Sequence, residues 1–496
     1  MSRQKSAKPL NSLCAGVIAS ALTTVACGGC AVGPDFHRPA APAVEHYTRE
    51  PLSVTAEAPG TGGAAQHFDA GAEIERQWWT VFASPTLNDL VERAFKHNPS
   101  IESAQAALRQ AQESTAAQRG IYFPTLQASY SPSRQKNAVG TISPTLTSGD
   151  PLYTLHTAQL SISYAPDVFG LNRRTVESLA AQAETQQYQL EAAYLTLASN
   201  VVAAAIQQAA LRAQIQASEE IIHGAEKSLD SLRRQAELGF ASGLDVAAQE
   251  TALAQARQTL PPLMKQLEQT RNLLAVLTGS FPAQGGMENV ELDALQLPQV
   301  LPLSLPSKLV EQRPDVRAAE AQVHAASAQV GVAVANRLPQ ISISALYGGS
   351  STQFSRMFAD DNKFWGVTGN IAQTVFDFGT LLHRKRAADA ALEQAAAQYR
   401  SVVLTAFQNV ADTLYALDAD AKALSAAAAA EAAASKTMSL TQRQLELGFV
   451  NALVLLNAQQ AYQQTRIARI QAEAARYTDT AALFQALGGG WWSSSQ

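Results

Sequence analysis

Three cysteines, Cys14, Cys27 and Cys30, are the only thiols in this 496-residue chain. Cys27 and Cys30 have the C-x-x-C spacing that can hold a metal or cycle as a dithiol. No second pair accompanies them, and both lie in a segment laid out like an export signal. Arg3, Lys5 and Lys8 come first, then a mildly apolar stretch from Leu13 to Ala26, then small residues ending at Cys30. That stretch is too short to remain as a transmembrane helix. The chemistry that suits these residues best is removal of residues 1–29 and acylation of Cys30 as the new N-terminus, although Cys27 stands where such signals usually carry leucine. Acyl chains contribute about 0.8 kcal/mol per buried methylene, so several on one cysteine anchor a chain firmly.

Other reactive constellations are missing from the sequence. The eight histidines are scattered, with no His-Glu-x-x-His and no cluster at ligand spacing. Neither a Ser-His-Asp arrangement nor a Gly-x-x-x-x-Gly-Lys phosphate loop can be picked out. The reading is therefore of no enzyme, no catalytic residue, no metal and no cofactor. A net charge of -5 with 16% charged residues gives no basic field for nucleic acid.

What positions such an anchor is a chain that carries itself twice. Arg234-Gln235-Ala236-Glu237-Leu238-Gly239-Phe240 returns 209 residues later as Arg443-Gln444-Leu445-Glu446-Leu447-Gly448-Phe449. At the same offset Phe169-Gly170 falls on Phe378-Gly379, Arg257 on Arg466 and Gly279 on Gly488. Earlier in each half the offset is 215, pairing Pro99 with Pro314 and Pro124 with Pro339, so one six-residue indel separates the copies. Duplication on this scale suits a structure built by rotational repetition.

Composition and period divide the chain further. Residues 30–80 are rich in Pro, Gly, Thr and Ala and read as an extended tether. The first repeat spans 81–296, a Pro-rich linker 297–306, the second repeat 307–490, and a short tail 491–496. Strict alternation predicts strands at about 124–131 and 158–166, then at about 339–347 and 364–375. The loops within the pairs, roughly Pro132 to His156 and Gly348 to Lys363, are long and polar. After each pair the period becomes helical. Alternate steps of four and three from Leu190 to Leu232 meet 13 positions, of which 11 are apolar, the 3.5-residue repeat of a coiled coil. A helix over 171–238 would be about 100 Å long at ~1.5 Å per residue. Leu-Gly-Phe closes each rod, glycine supplying the left-handed conformation, and a second helix returns. The hairpins are predicted at 171–279 and 380–488.

An alternating sheet can cover a soluble core or face lipid. An exported, acylated chain with no other large apolar surface favours lipid, and a membrane sheet must close with no unpaired edge. Four strands cannot close, since single-chain barrels begin at eight. Several copies would have to share one barrel.

These residues resemble the TolC-like outer membrane factors, in particular the lipoprotein branch of OprM/NodT-like efflux components. The resemblance covers the mature chain: Cys30 to Phe36 with Arg38-Pro39, Trp78-Trp79 with Phe82, Asn98-Pro99, both Leu-Gly-Phe turns, Gln312 to Val316, and Leu487 to Trp491. It implies a mixed α/β membrane protein. The homotrimer would form a 12-stranded outer-membrane β-barrel, four strands per chain, continuous with a long α-helical coiled-coil periplasmic barrel. It further implies a passive duct for drugs or toxic organic compounds, lipid-anchored in the outer membrane and served by a periplasmic adaptor protein and an inner-membrane pump of RND type.

Carried to residues, the resemblance makes Gly239, Phe240, Gly448 and Phe449 the adaptor-docking tips. The branch's periplasmic gate, a leucine followed four residues later by an aspartate, falls on Leu453 and Asn457, where asparagine departs from the acid. Asp245, in the first half and matched by Val454 in the second, is a further candidate acid near the entrance or a charge favoured by the helix dipole. A periplasmic adaptor and a non-conducting envelope scaffold are the alternatives. An adaptor would be expected to show one hairpin with lipoyl-like and barrel domains.

Overall fold

The computed structural model describes residues 31–136, 152–284 and 290–493. The export-like segment and all three cysteines lie outside the described residues. The chain divides into two units. One holds the N-terminal residues through Arg38 with Arg109–Glu184 and Ala321–Ala397, and the other holds Pro39–Leu108, Thr185–Glu320 and Gln398–Gln496.

The elements follow the repeat. In the first copy α1 (Pro85–His97) and α2 (Pro99–Gly120) lead into β2 (Thr125–Lys136) and β3 (Leu152–Tyr164), then α3 (Leu171–Glu237) and α4 (Gly243–Leu277). In the second, α5 (Pro306–Gln312) and α6 (Pro314–Ala335) precede β5 (Gln340–Ser351) and β6 (Lys363–Ala372), then α7 (Thr380–Glu446) and α8 (Ala452–Ala486). The matched helices α2 and α6 each have 22 residues, α3 and α7 each have 67, and α4 and α8 each have 35. Starts of β2 and β5 keep the 215 offset, whereas α3 and α7 keep 209. The six-residue indel therefore falls between the strands of a pair.

In the first unit the order β2-β3-β5-β6 is antiparallel throughout. The strands run further than alternation alone suggested. β2 reaches Lys136 and β3 begins at Leu152, so both ends of the predicted polar loop are paired backbone. Ser, Thr, Gln and Arg at these positions mask the pattern without preventing ladder bonds, which belong to the backbone. The switch from strand to helix is fixed by carboxylates: Asp167 accepts from the amides of Asn172 and Arg173, and Asp377 from those of Gly379 and Leu381. Segment Ala31–Phe36 is packed in the same unit. Val32 N donates to the Phe169 carbonyl, and a Cβ on Gly170 would stand 2.7 Å from the Ala31 Cα. Arg174, 4% exposed, donates to the Val32 and Gly33 carbonyls and pairs with Asp35 at 2.7 Å and Glu177 at 2.8 Å.

In the second unit, none of the 13 positions stepped from Leu190 to Leu232 is exposed, not even Gln208 or Ser218. The matching stripe on α7, from Tyr399 through Val403, Ala406, Val410, Leu414 and Leu417 to Ala428, is buried as well. A compact core surrounds Trp78, Phe82 and Tyr477. Trp78 stacks on Phe484 with centroids 5.5 Å apart.

The segment read as a tether is partly built into this core. Its strand β1 (His67–Ala70) runs parallel to β4 (Val300–Leu303), inside what the composition suggested was only a linker. Two short strands thus join the four that were expected. Fully buried Arg476 donates to the carbonyls of Gly62 and Ala64 and to Thr55 Oγ1. A segment without apolar period is held through its backbone carbonyls, which no hydrophobicity pattern reveals.

Candidate functional site

Register places two kinds of residue on opposite sides of the four-stranded sheet. One row runs Leu126, Ile162, Ala345, Val367, and the next row on that side Ala128, Leu160, Tyr347, Trp365. Between them, on the other side, lies Gln127, Ser161, Leu346, Gly366, preceded by Thr125, Ser163, Ser344, Thr368. Side chains alternate along a strand, so one face is aliphatic and aromatic and the other mainly hydroxyl and amide. The apolar face is open: Trp365 is 77% exposed and Val367 68%. Aromatic residues gather at both ends. Tyr130, His156 and Phe354 pack together toward the hairpin end, while Phe376 and Phe378 sit with centroids 4.5 Å apart beyond the end of β6. Both edge strands, β2 and β6, keep one side of their ladder unpaired among the described residues.

The hairpin tips belong to the second unit. Gly239 has φ 82° and Gly448 φ 75°. In both turns the glycine amide bonds back to Ala236 or Leu445 and the phenylalanine amide to Gln235 or Gln444, the paired bonds of a Schellman closure. The residue after such a glycine often packs back on its helix. Here the helix offers a glutamine, and the rings stay out: Phe240 is 83% exposed and Phe449 77%. Leu238, Leu244 and Leu447 are exposed beside them.

The return helices begin differently. Ser242 and Asp245 form a capping box, each side chain accepting from the other's backbone amide. Asp245 is therefore engaged by its own helix end. Asn451 caps α8 by accepting from Val454 N, with no acid to reciprocate. Leu453 and Asn457 are exposed one turn apart, while Leu455, Leu456 and Ala458 are buried. The predicted gate pair thus lies on the open side of α8.

Charged contacts that sequence reasoning missed brace this unit. Arg257 pairs with Glu226 at 2.6 Å and Arg233 with Glu250 at 2.7 Å, both within the first hairpin. Arg466, the repeat of Arg257, instead reaches Glu220 of the first hairpin at 2.7 Å. Higher on α8, burial pushes Glu473 up to about 7, with Arg469 opposing and Asp293 and Glu431 adding. Burial and the neighbouring Asp479 push Asp420 likewise up to about 7. The available signal was charge at positions whose repeats are neutral: Glu473 matches Met264, Arg476 matches Leu267 and Asp479 matches Thr270. Among the described residues, no group of three or more His, Cys, Asp or Glu is placed to hold a metal ion.

Comparison with known proteins gives these geometries a context. The family model described as outer membrane efflux protein matches residues 90–280 and 305–489. The pyoverdine export outer membrane protein OpmQ of Pseudomonas aeruginosa is 30% identical over 423 residues, covering 85% of this chain and 89% of its own. The toluene efflux pump outer membrane protein TtgC of Pseudomonas putida is 29% identical over 480 residues, 97% of this chain and 96% of its own. Among solved structures, the outer-membrane channel OprN superposes with a TM-score of 0.82 at 26% identity, covering 94% of this chain and all of that one.

Proposed function

This chain belongs to the outer membrane efflux protein family, and from that premise we propose that it acts as a passive homotrimeric duct whose three sheets close one twelve-stranded barrel. It is an outer-membrane channel component of an efflux pump, with its helices on the periplasmic side. Membership removes the adaptor alternative.

One observation carries the trimeric reading: a sheet with one open apolar face and two unpaired edges. In a bilayer every backbone amide and carbonyl needs a partner, so β6 of one copy pairs with β2 of the next. Three copies of four strands make a barrel wide enough to hold water and solute. The Ser, Thr and Gln face lines its lumen and the apolar face meets lipid between the aromatic groups. Three chains likewise gather the buried helical stripes into a coiled-coil tunnel.

Function at the tips follows from what is left uncovered. Phe240 and Phe449, presented by Gly239 and Gly448, dock a periplasmic adaptor, three chains offering six similar tips. Leu453 forms an apolar constriction with Asn457 one turn above it, and Asp245 is reduced to capping its helix. An inner-membrane pump of RND type supplies the energy and selects the cargo. The names of the relatives, pyoverdine export and toluene efflux, support small organic molecules as that cargo.

Lipid anchoring at Cys30 completes the reading. Residues Ala31 to Asp35, fixed by Phe169, Gly170 and Arg174, support an anchor emerging where strand gives way to helix.

Purified protein in a planar bilayer tests the duct. A conducting species with the mass of three chains by native mass spectrometry is expected. A non-conducting monomer would leave only the envelope scaffold.

A further inference from the structure

The apolar face of the sheet changes character at the hairpin end of β2. Beyond Tyr130 the residues on that face are Pro132, Arg134 and Lys136, opposite His156, Thr154 and Leu152 on β3. Tyr130 OH lies 2.9 Å from His156 Nδ1, the two rings are stacked, and Phe354 stands edge-on to both at 5.9 Å. Arg134 and Lys136 are exposed, with no ion-pair partner among the described residues. On the neighbouring β5–β6 turn, which also carries the exposed Arg356, Lys363 is already taken by Asp360 at 2.7 Å.

Two cations unpaired among the described residues, in line with Trp365, Val367 and Leu160, are incompatible with hydrocarbon, where a lipid-facing Arg or Lys is destabilising. They are tolerated at the interface. Their position meets that condition. At ~3.4 Å per residue they stand about 14 and 20 Å further along the strand than Tyr130, beyond the aromatic group that marks the edge of the apolar band. Strands join helices at Thr125, Tyr164, Gln340 and Ala372, so this is the end remote from the helices. With the helices periplasmic, it lies in the outer leaflet. Anionic groups at that depth are lipid-borne phosphates, which an Arg guanidinium grips through two parallel bonds and a Lys as a point charge.

We propose that Arg134 and Lys136, above the Tyr130, His156 and Phe354 cluster, form a docking site for the phosphates of an outer-leaflet glycolipid. The site rests on reading the apolar face as membrane-facing. Adjacent same-face positions, about 7 Å apart along the strand, let the two side chains engage separate phosphates on one broad sugar headgroup. Aromatic rings below pack against the first methylenes of its acyl chains.

The test is titration of the full-length protein in nanodiscs with fluorescent bisphosphorylated lipid A, and in parallel with its dephosphorylated form and with cardiolipin. The protein is compared with an Arg134→Gln/Lys136→Gln double variant. Each lost charge should weaken lipid A binding about fivefold, so the double variant loses roughly 25-fold, and dephosphorylated lipid should bind wild type no better than the variant binds lipid A. Equal affinity of variant and wild type, or of phosphorylated and dephosphorylated lipid, overturns the site. Tighter binding of cardiolipin than of lipid A overturns the glycolipid as occupant. Conductance of both proteins is recorded alongside. A conducting variant that has lost lipid A binding supports the proposal, whereas failure of the wild type to insert removes the membrane-facing reading and the site together.

Discussion

The two hairpin tips have the same turn and different bracing. Both close on glycine with the same pair of backbone bonds and leave a phenylalanine in solvent. Away from the turn, the first hairpin is tied to itself by Arg257 with Glu226 and Arg233 with Glu250, and its return helix starts in a closed capping box. The second begins on a single cap, has its own pair only further from the tip, Arg469 with Glu431 at 2.9 Å, and sends Arg466 across to the first. Duplication keeps what every hairpin needs, a left-handed turn, and frees the remainder to diverge. The copy braced close to its tip is suited to be a fixed strut, and the copy whose own pair lies further from its tip is suited to move.

The largest expected effect separates the copies at equivalent leucines. Leu453→Ala should raise single-channel conductance several-fold and admit large antibiotics, while Leu244→Ala leaves both unchanged. Equal effects would end the division into strut and gate. The exposed rings come next. Phe240→Ser and Phe449→Ser should each weaken adaptor binding about tenfold, as loss of an aromatic anchor does, measured by titration of adaptor onto the assembled channel. Because the turns are alike, similar losses are expected, and a large disparity would show that adaptor contacts follow the bracing rather than the turn.

The return helices diverge in charge as well, and pH exposes it. Glu473 is buried where the first copy has Met264. An acid whose folded pKa, about 7, exceeds its usual 4.5 holds its proton more tightly when folded. Stability then falls as pH rises from about 4.5 to about 7, and the penalty is fully present above that. Glu473→Gln should stabilise the protein at pH 8 by on the order of 2 kcal/mol and by little at pH 4.5. Melting temperatures of wild type and variant at the two pH values check this. Met264→Gln should show no such dependence.

Much of this comparison was legible in the sequence because it rests on local chemistry. Gly239 and Gly448 are demanded by a positive φ, and the buried stripe from Leu190 to Leu232 is visible as a period. Alternation located the four strands but ended them too soon, since Ser133, Arg134 and Gln135 continue a ladder that apolar spacing cannot announce. The packed half of the N-terminal segment was hidden for a related reason: Arg476 holds it through carbonyls, 414 residues away in the case of Gly62. The partner of Arg466 was equally out of reach. Its sequence copy, Arg257, pairs within its own hairpin, and repetition alone would have assigned Arg466 the same role.

Caps offer a finer contrast. Ser242→Ala removes the acceptor of the Asp245 amide and also the hydroxyl bond that steadies the Asp245 carboxylate over the amide of residue 242, whereas Asn451→Ala removes the acceptor of the Val454 amide alone. Each costs about 1 kcal/mol, the first somewhat more. Hydrogen exchange of the first turn of α4 and of α8 reads the difference directly.

The smallest effect decides most about the mechanism. Arg466 and Glu220 are 26% and 49% exposed, so solvent screens the pair and breaking it costs only about 0.5 kcal/mol. Arg257→Ala breaks a pair of the same kind. Global stability will not tell the two variants apart. What differs is which motion each pair opposes: Arg257 resists separation of α3 from α4, and Arg466 resists displacement of the second hairpin from the first. If the second hairpin carries the gate, Arg466→Ala shifts the open population by roughly twofold, the factor that 0.5 kcal/mol implies, and Arg257→Ala does not. Open probability in bilayer recordings of the two variants measures that ratio, and a value of one would return both hairpins to the status of fixed struts.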